Sequence, residues 1–174
     1  MKKAILLFTF SFIISYIFAQ TSAEVVKNEN QYLKSGLTLN KPLTEVRNGD
    51  LTFSVIKVEG NNKSQLVTIE VLIKNKGRRL EAFTSYVKSI IDNNGVEYSM
   101  HKSFIGNKDA TVFAFTDLNS YTLLTCKYVF KGIKSDVRFL RLFNYPVEYH
   151  IPGSNPSDFQ MRNTEFRDLT IEWK

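Results

Sequence analysis

The chain has 174 residues, a single cysteine and a formal net charge of +6, set by 23 Lys and Arg against 17 Asp and Glu. One cysteine excludes an internal disulfide, so stability has to come from packing. So mild a charge excess excludes the concentrated basic surface of a nucleic-acid binder, and the length suits one domain with a real core.

Lys2 and Lys3 lead into an apolar run, Ala4–Phe18 (AILLFTFSFIISYIF), and small residues follow at Ala19 and Thr21-Ser22-Ala23. That is the order of a secretory signal peptide. The run falls short of the roughly 20 residues that a membrane-spanning helix needs, and Thr9, Ser11 and Ser15 interrupt it. Cleavage is expected after Ala19, which makes residues 1–19 the signal; Ala23 is the alternative, since Thr21 suits the small −3 position better than Ile17. An uncleaved anchor is the competing reading. Cleavage leaves 155 residues with 21 bases against 17 acids, and no cysteine near the cut for lipid attachment. The expected product is secreted or periplasmic, has no integral membrane segment once cleaved, and meets no nucleic acid.

Residues 20–48 are polar and read as partly disordered or as an edge strand around Leu37–Leu39. Residues 49–174 carry period-two signals almost throughout. Leu51, Phe53 and Val55 share one side of a strand. In LVTIEVLIKNKG, Leu66–Gly77, the residues Val67, Ile69, Val71 and Ile73 point inward, and Thr68, Glu70 and Lys74 point outward. Leu72 also points outward, which predicts partial cover there. SIIDNNGVEYS places Asn94-Gly95 between apolar flanks, the strongest short hairpin signal. Thr111–Phe115 and Leu123–Phe130 read as two more strands, the second with Leu124, Cys126, Tyr128 and Phe130 on one face, and Cys126 as a small buried residue. Val137–Phe143 is apolar on both faces, so its register is open. NYPVEYHIPGSNPSDF contains Pro146, Pro152 and Pro156, which argues against a central strand. It reads as an excursion over residues 144–165 that returns to a final strand, 166–174, where Leu169, Ile171 and Trp173 align. Short strands separated by turn residues predict an all-β fold, an antiparallel sandwich or barrel.

Taken in order, several of these pieces resemble a known family. LTFSVIKV leads to VTIEVLIKNKG, then to IIDNNGVEY and to LNSYTLLTCKYVF. The order is similar to that of immunoglobulin-like domains of unknown function in bacterial exported proteins and lipoproteins, a fold represented by the mycobacterial immunoprotective extracellular protein. The family's Asn-x-Gly strand end is matched by Asn75-Lys76-Gly77, and its Asp, Gly and aromatic hairpin by Asp92, Gly95 and Tyr98. Its Leu-Pro-Gly corner is replaced by Leu118-Asn119-Ser120. The resemblance covers roughly Leu51 to Leu142 and implies an immunoglobulin-like antiparallel β-sandwich. It implies no catalytic residue, because the family shares none.

The residues themselves offer little chemistry. Ser54-Val55-Ile56-Lys57, Ser85-Tyr86-Val87-Lys88 and Ser99-Met100-His101-Lys102 match Ser-x-x-Lys, and Lys34-Ser35-Gly36 resembles Lys-Thr-Gly. Penicillin-recognising enzymes place that serine on a helix and in the opposite order. His101 and His150 are the only histidines, and there is no Cys-x-x-Cys or His-x-x-x-His. The expectation is no enzyme, no metal and no cofactor. Two binding candidates remain. Lys74, Lys76, Arg78 and Arg79 crowd at a strand end, either as a site for anionic groups or as a solvated loop. Phe143, Tyr145 and Tyr149 either stack on sugar rings or anchor a loop to the sandwich. The function expected is that of an exported interaction module, monomeric or weakly oligomeric, whose partner is a protein or cell-envelope component.

Overall fold

Between Leu66 and Asn75 every second side chain is buried, and Val67, Ile69, Val71 and Ile73 are fully so. The structure, a computed structural model, describes residues 42–111, 114–155 and 157–174, all within one unit, Pro42–Lys174. The signal-like segment 1–19, the polar segment as far as Lys41 with Leu37–Leu39, and residues Val112, Phe113 and Pro156 lie outside the described residues. In chain order the strands are β1 (Thr44–Asn48), β2 (Leu51–Asn61), β3 (Leu66–Asn75), β4 (Leu80–Ser85), β5 (Ser89–Asp92) and β6 (Glu97–Ile105). They continue with β7 (Lys108–Asp109), β8 (Thr116–Leu118), β9 (Leu123–Lys131), β10 (Phe139–His150), β11 (Phe159–Thr170) and β12 (Glu172–Trp173).

One layer runs β1-β2-β3-β9, continues through the second half of β6 and ends on the two-residue β7. The first half of β6 pairs with β5 in the other layer, where β10 is central and β11 runs along its far side. β4 takes the same side of β10 as β5, further along, and carries β8. All pairings are antiparallel except β12 on β2. The fold is an antiparallel β-sandwich of immunoglobulin-like build, as the alternation and turn chemistry require.

Aromatic rings lock the layers together. Tyr128 of β9 meets Tyr145 of β10 edge-on at 5.5 Å between centroids, and Phe53 of β2 meets Tyr145 at 5.7 Å. Phe143 of β10 meets Phe130 of β9 edge-on at 6.4 Å. Such pairs add roughly 0.5–1.5 kcal/mol each beyond the area they bury. The two buried phenols satisfy each other: Tyr128 and Tyr145 hydroxyls lie 2.8 Å apart, and Ser85 Oγ bonds Tyr128 at 2.6 Å. Burial pushes both phenols far above the ordinary tyrosine range.

The turn motifs have local causes. Asn75 is buried; its Oδ1 accepts from Gly77 N at 2.9 Å, and its Nδ2 donates to the carbonyls of Arg78 (2.8 Å), Leu118 (3.2 Å) and Asn119 (3.2 Å). One side chain therefore ties the Asn-x-Gly strand end to the Leu-Asn-Ser corner. Asp92 does the same for the hairpin, accepting from Asn94 N (2.8 Å), Val96 N (2.9 Å) and Tyr98 Oη (3.1 Å). Gly95 takes the left-handed φ of 83° that this turn needs.

Three expectations are corrected. The stretch with Pro146 is no excursion: Phe139–His150 is the central strand of its layer. The reason is local. Pro146 accepts from Tyr86 N at 2.9 Å, so its own nitrogen faces the same side, where Tyr86–Lys88 interrupt the edge between β4 and β5. The missing N–H costs no ladder bond with β11. The final strand starts at Phe159, not 166, and the chain then changes layers at Ile171. Around Thr111–Phe115 the described residues form no strand; the short β8 begins at Thr116. The open register of Val137–Phe143 is a bulge: Leu140 and Phe143 are both buried three residues apart, and the pairing with β5 shifts between Leu140 and Leu142.

Candidate functional site

The basic cluster divides in the structure. Lys74 is half-buried on the outer face of β3, paired across to Thr52 and Leu123, and Lys76 is exposed. Arg79 is already engaged, bonding Asp117 at 2.6 Å and lying 3.5 Å from Glu81. Arg78 faces a concavity. It lines a cleft of about 220 Å³ with Asn48, Gly49, Asp50, Tyr149 and Arg162. Two of the candidates thus meet in one place, Arg78 from the loop after β3 and Tyr149 from β10. Tyr145 does not join them; it is fully buried in the core, with its hydroxyl on Tyr128. The ligand-stacking role expected for Tyr145 is overturned, and Tyr149, 7% exposed, serves as a wall of the cleft.

The cleft is held by defined contacts. Asn75 grips the Arg78 carbonyl, and Asp50 O accepts from Lys76 N at 2.9 Å. Gly77 is required because a Cβ there would sit 2.4 Å from an Asp50 carboxylate oxygen. On the far wall Asn48 Nδ2 donates to the Asn163 carbonyl at 3.3 Å, which sets the β1–β2 turn beside Arg162. Among the described residues neither Arg78 nor Arg162 makes an ion pair, and Asp50 is the one carboxylate lining the cleft. Guanidinium groups in such a setting favour carboxylate, sulfate or phosphate through paired charge-assisted bonds. Sequence reasoning missed Arg162, which lies on β11 and reaches the cleft through its pairing with Val147 on β10.

A second concavity lies on the outer face of the other layer. It measures about 460 Å³ and is lined by Tyr86, Lys88, Ser89, Asn144, Pro146, Glu148 and Met161. Its position follows from the break between β4 and β5, opposite Pro146.

One cluster has the outline of a hydrolase. Ser154 Oγ lies 3.2 Å from His150 Nε2, and His150 Nδ1 lies 3.7 Å from Glu81. Both groups also have backbone partners: Ser154 Oγ donates to the Ile151 carbonyl at 2.8 Å, and His150 Nε2 lies 3.1 Å from the Asn155 carbonyl. Neither concavity includes Ser154. Among the described residues no group of three or more His, Cys, Asp or Glu is placed to hold a metal, and no helix is long and apolar enough to cross a membrane. Cys126 is buried, and burial pushes its thiol up to about 11, which leaves it protonated and unreactive at neutral pH.

The class these observations define is an immunoglobulin-like β-sandwich with concave surface sites. No protein-family profile and no curated protein matches the sequence. Among solved structures the chain is similar to the ASH/PapD-like domain of human CEP192 (PapD-like domain 7), at 14% identity over 78% of this chain and 93% of that one, TM-score 0.42. It is also similar to an uncharacterised β-sandwich protein from Clostridium difficile 630, at 11% identity over 69% and 89%, TM-score 0.35. A family 123 glycoside hydrolase from Clostridium perfringens matches at 10% identity over 64% of this chain and only 22% of its own length, TM-score 0.32.

Proposed function

We propose that the protein is an exported, non-enzymatic binding module that takes an anionic group of a protein or cell-envelope partner in the cleft between Arg78 and Arg162. In this reading it is a relative of the immunoglobulin-like exported domains typified by the mycobacterial immunoprotective extracellular protein, and it works as a monomer or weak oligomer. The observation that supports the reading is the contrast between neighbours. Arg79 spends its charge on Asp117, whereas Arg78 and Arg162 come from separate elements, line one cleft and have no acidic partner within ion-pair distance among the described residues. Asp50 subtracts one charge, which suits a single anionic group better than a polyanion tract.

The test compares two double variants. Binding of inorganic sulfate, a heparin-derived tetrasaccharide and phosphatidylglycerol vesicles is measured for the wild type, for Arg78→Gln with Arg162→Gln, and for Lys74→Gln with Lys76→Gln. Loss in the arginine pair with retention in the lysine pair supports the cleft. Binding should also weaken with salt, since exposed charges are screened over about 10 Å at 0.1 M. Equal binding by all three proteins, or none by the wild type, overturns it. Intact mass of natively produced protein tests export, with a start between Gln20 and Glu24 expected.

A further inference from the structure

The groove around Pro146 has a ligand chemistry of its own. Strand alternation sends Tyr145, Val147 and Tyr149 into the core and leaves Asn144, Pro146 and Glu148 facing out. Met161 is 65% exposed and sits directly across from Glu148 on β11, while Tyr86, Lys88 and Ser89 supply the opposite wall. We infer that this groove is a carbohydrate site that takes a neutral sugar, distinct from the anion cleft.

Five features lead there. The hollow is built into the sheet, because no strand crosses the gap opposite Pro146; a rigid, preformed site results. Its volume, about 460 Å³, lies within the roughly 300–1,000 Å³ typical of small-molecule sites. Its lining combines apolar surface (Pro146, Met161, the Tyr86 ring) with the polar groups of Lys88, Glu148, Asn144 and Ser89. Lys88 and Glu148 cancel in charge, so the mixed lining suits a neutral ligand that offers both a C–H face and hydroxyls, which describes a pyranose ring. Glu148 receives the Tyr86 hydroxyl, which holds the ring, and a carboxylate's two oxygens leave further acceptor capacity for sugar hydroxyls.

An extended peptide fits less well. Strand addition needs free backbone groups, and here they are taken: Pro146 has no N–H, its carbonyl accepts from Tyr86 N at 2.9 Å, and the Lys88 carbonyl accepts from Met100 N at 2.7 Å. Recognition at this groove falls to side chains.

The experiment titrates neutral tetrasaccharides derived from cellulose, chitin and mannan into isotopically labelled mature protein, with amide shifts as the readout. At least one sugar should shift Tyr86–Ser89, Asn144–Glu148 and Met161 at millimolar concentration. Glu148→Gln and Lys88→Ala, both substitutions in the lining, should each weaken it by about tenfold, the cost of one hydrogen bond to a charged group. Added salt and the Arg78→Gln, Arg162→Gln pair should leave it unchanged, which separates this site from the cleft. Absence of shifts with all three sugars overturns the inference. So do shifts confined elsewhere, lining variants that bind like wild type, or a peptide pool that shifts these residues when no sugar does.

Discussion

Replacing Asn75 with Ala removes a side chain that serves four backbone groups, and the loss can be worked from its contacts. The contact with the Leu118 carbonyl is buried, and a buried group deprived of its partner costs about 1–3 kcal/mol. The other contacts, to Gly77 N and to the Arg78 and Asn119 carbonyls, are part-buried; water replaces some of them, leaving about 1 kcal/mol in all. The expected loss is about 2–4 kcal/mol, a large share of the roughly 5–15 kcal/mol that holds a domain of this size. Melting should fall on the order of 10 °C. Asn75→Asp sharpens the reasoning, since it keeps the shape but turns an acceptor toward three carbonyl oxygens at neutral pH. It should cost at least as much as Ala. Urea denaturation followed by circular dichroism and Trp173 fluorescence gives both numbers. If Asn75→Asp is as stable as wild type, the side-chain bonds are not what holds the corner.

Gly60→Ala should cost about 1–3 kcal/mol and shift Trp173 fluorescence to the red, because the new Cβ would lie 2.3 Å from a ring carbon and must displace it. Asp92→Ala should speed amide exchange at Asn94 and Val96, and Asp92→Asn should restore most protection, since one remaining oxygen still accepts from both amides. Cys126 should resist a thiol reagent such as dithionitrobenzoate at pH 8 until urea unfolds the chain. Its thiol is raised from 9.0 to about 11 on folding, so the unfolded chain releases its proton first and stability falls as pH rises through this window. Tyr128 and Tyr145, raised by burial as well, act in the same direction, and a denaturation series in alkaline buffers reads the sum.

The parts of the fold legible in the sequence were those decided by neighbours in the chain. Period-two alternation placed Val67, Ile69, Val71 and Ile73 inward, and Asn94-Gly95 marked the hairpin that Asp92 closes. Pro146 misled because a proline's effect depends on which side its nitrogen faces and what lies there, a fact about β4 and β5 rather than about its neighbours. With β10 read as a loop, its tyrosines seemed available to ligands. As a strand it turns them into the core and offers Asn144 and Glu148 instead, one residue out of phase. Arg162 was invisible for a related reason: only the β10–β11 register brings it beside Arg78.

The pairing of β12 with β2 joins Glu172 to Glu59, positions more than a hundred apart. Around it Lys174 N donates to the Gly60 carbonyl at 2.9 Å, Asn62 N to the Lys174 carbonyl at 3.0 Å, and Trp173 Nε1 to the Val137 carbonyl at 2.7 Å. Contacts so distant along the chain are entropically slow to form. Until residues 171–174 dock, Glu59 and Gly60 lack their β12 partners on this edge and the Val137 carbonyl lacks the Trp173 donor. This seam is therefore expected to close after the local hairpins, with β12 as its clasp.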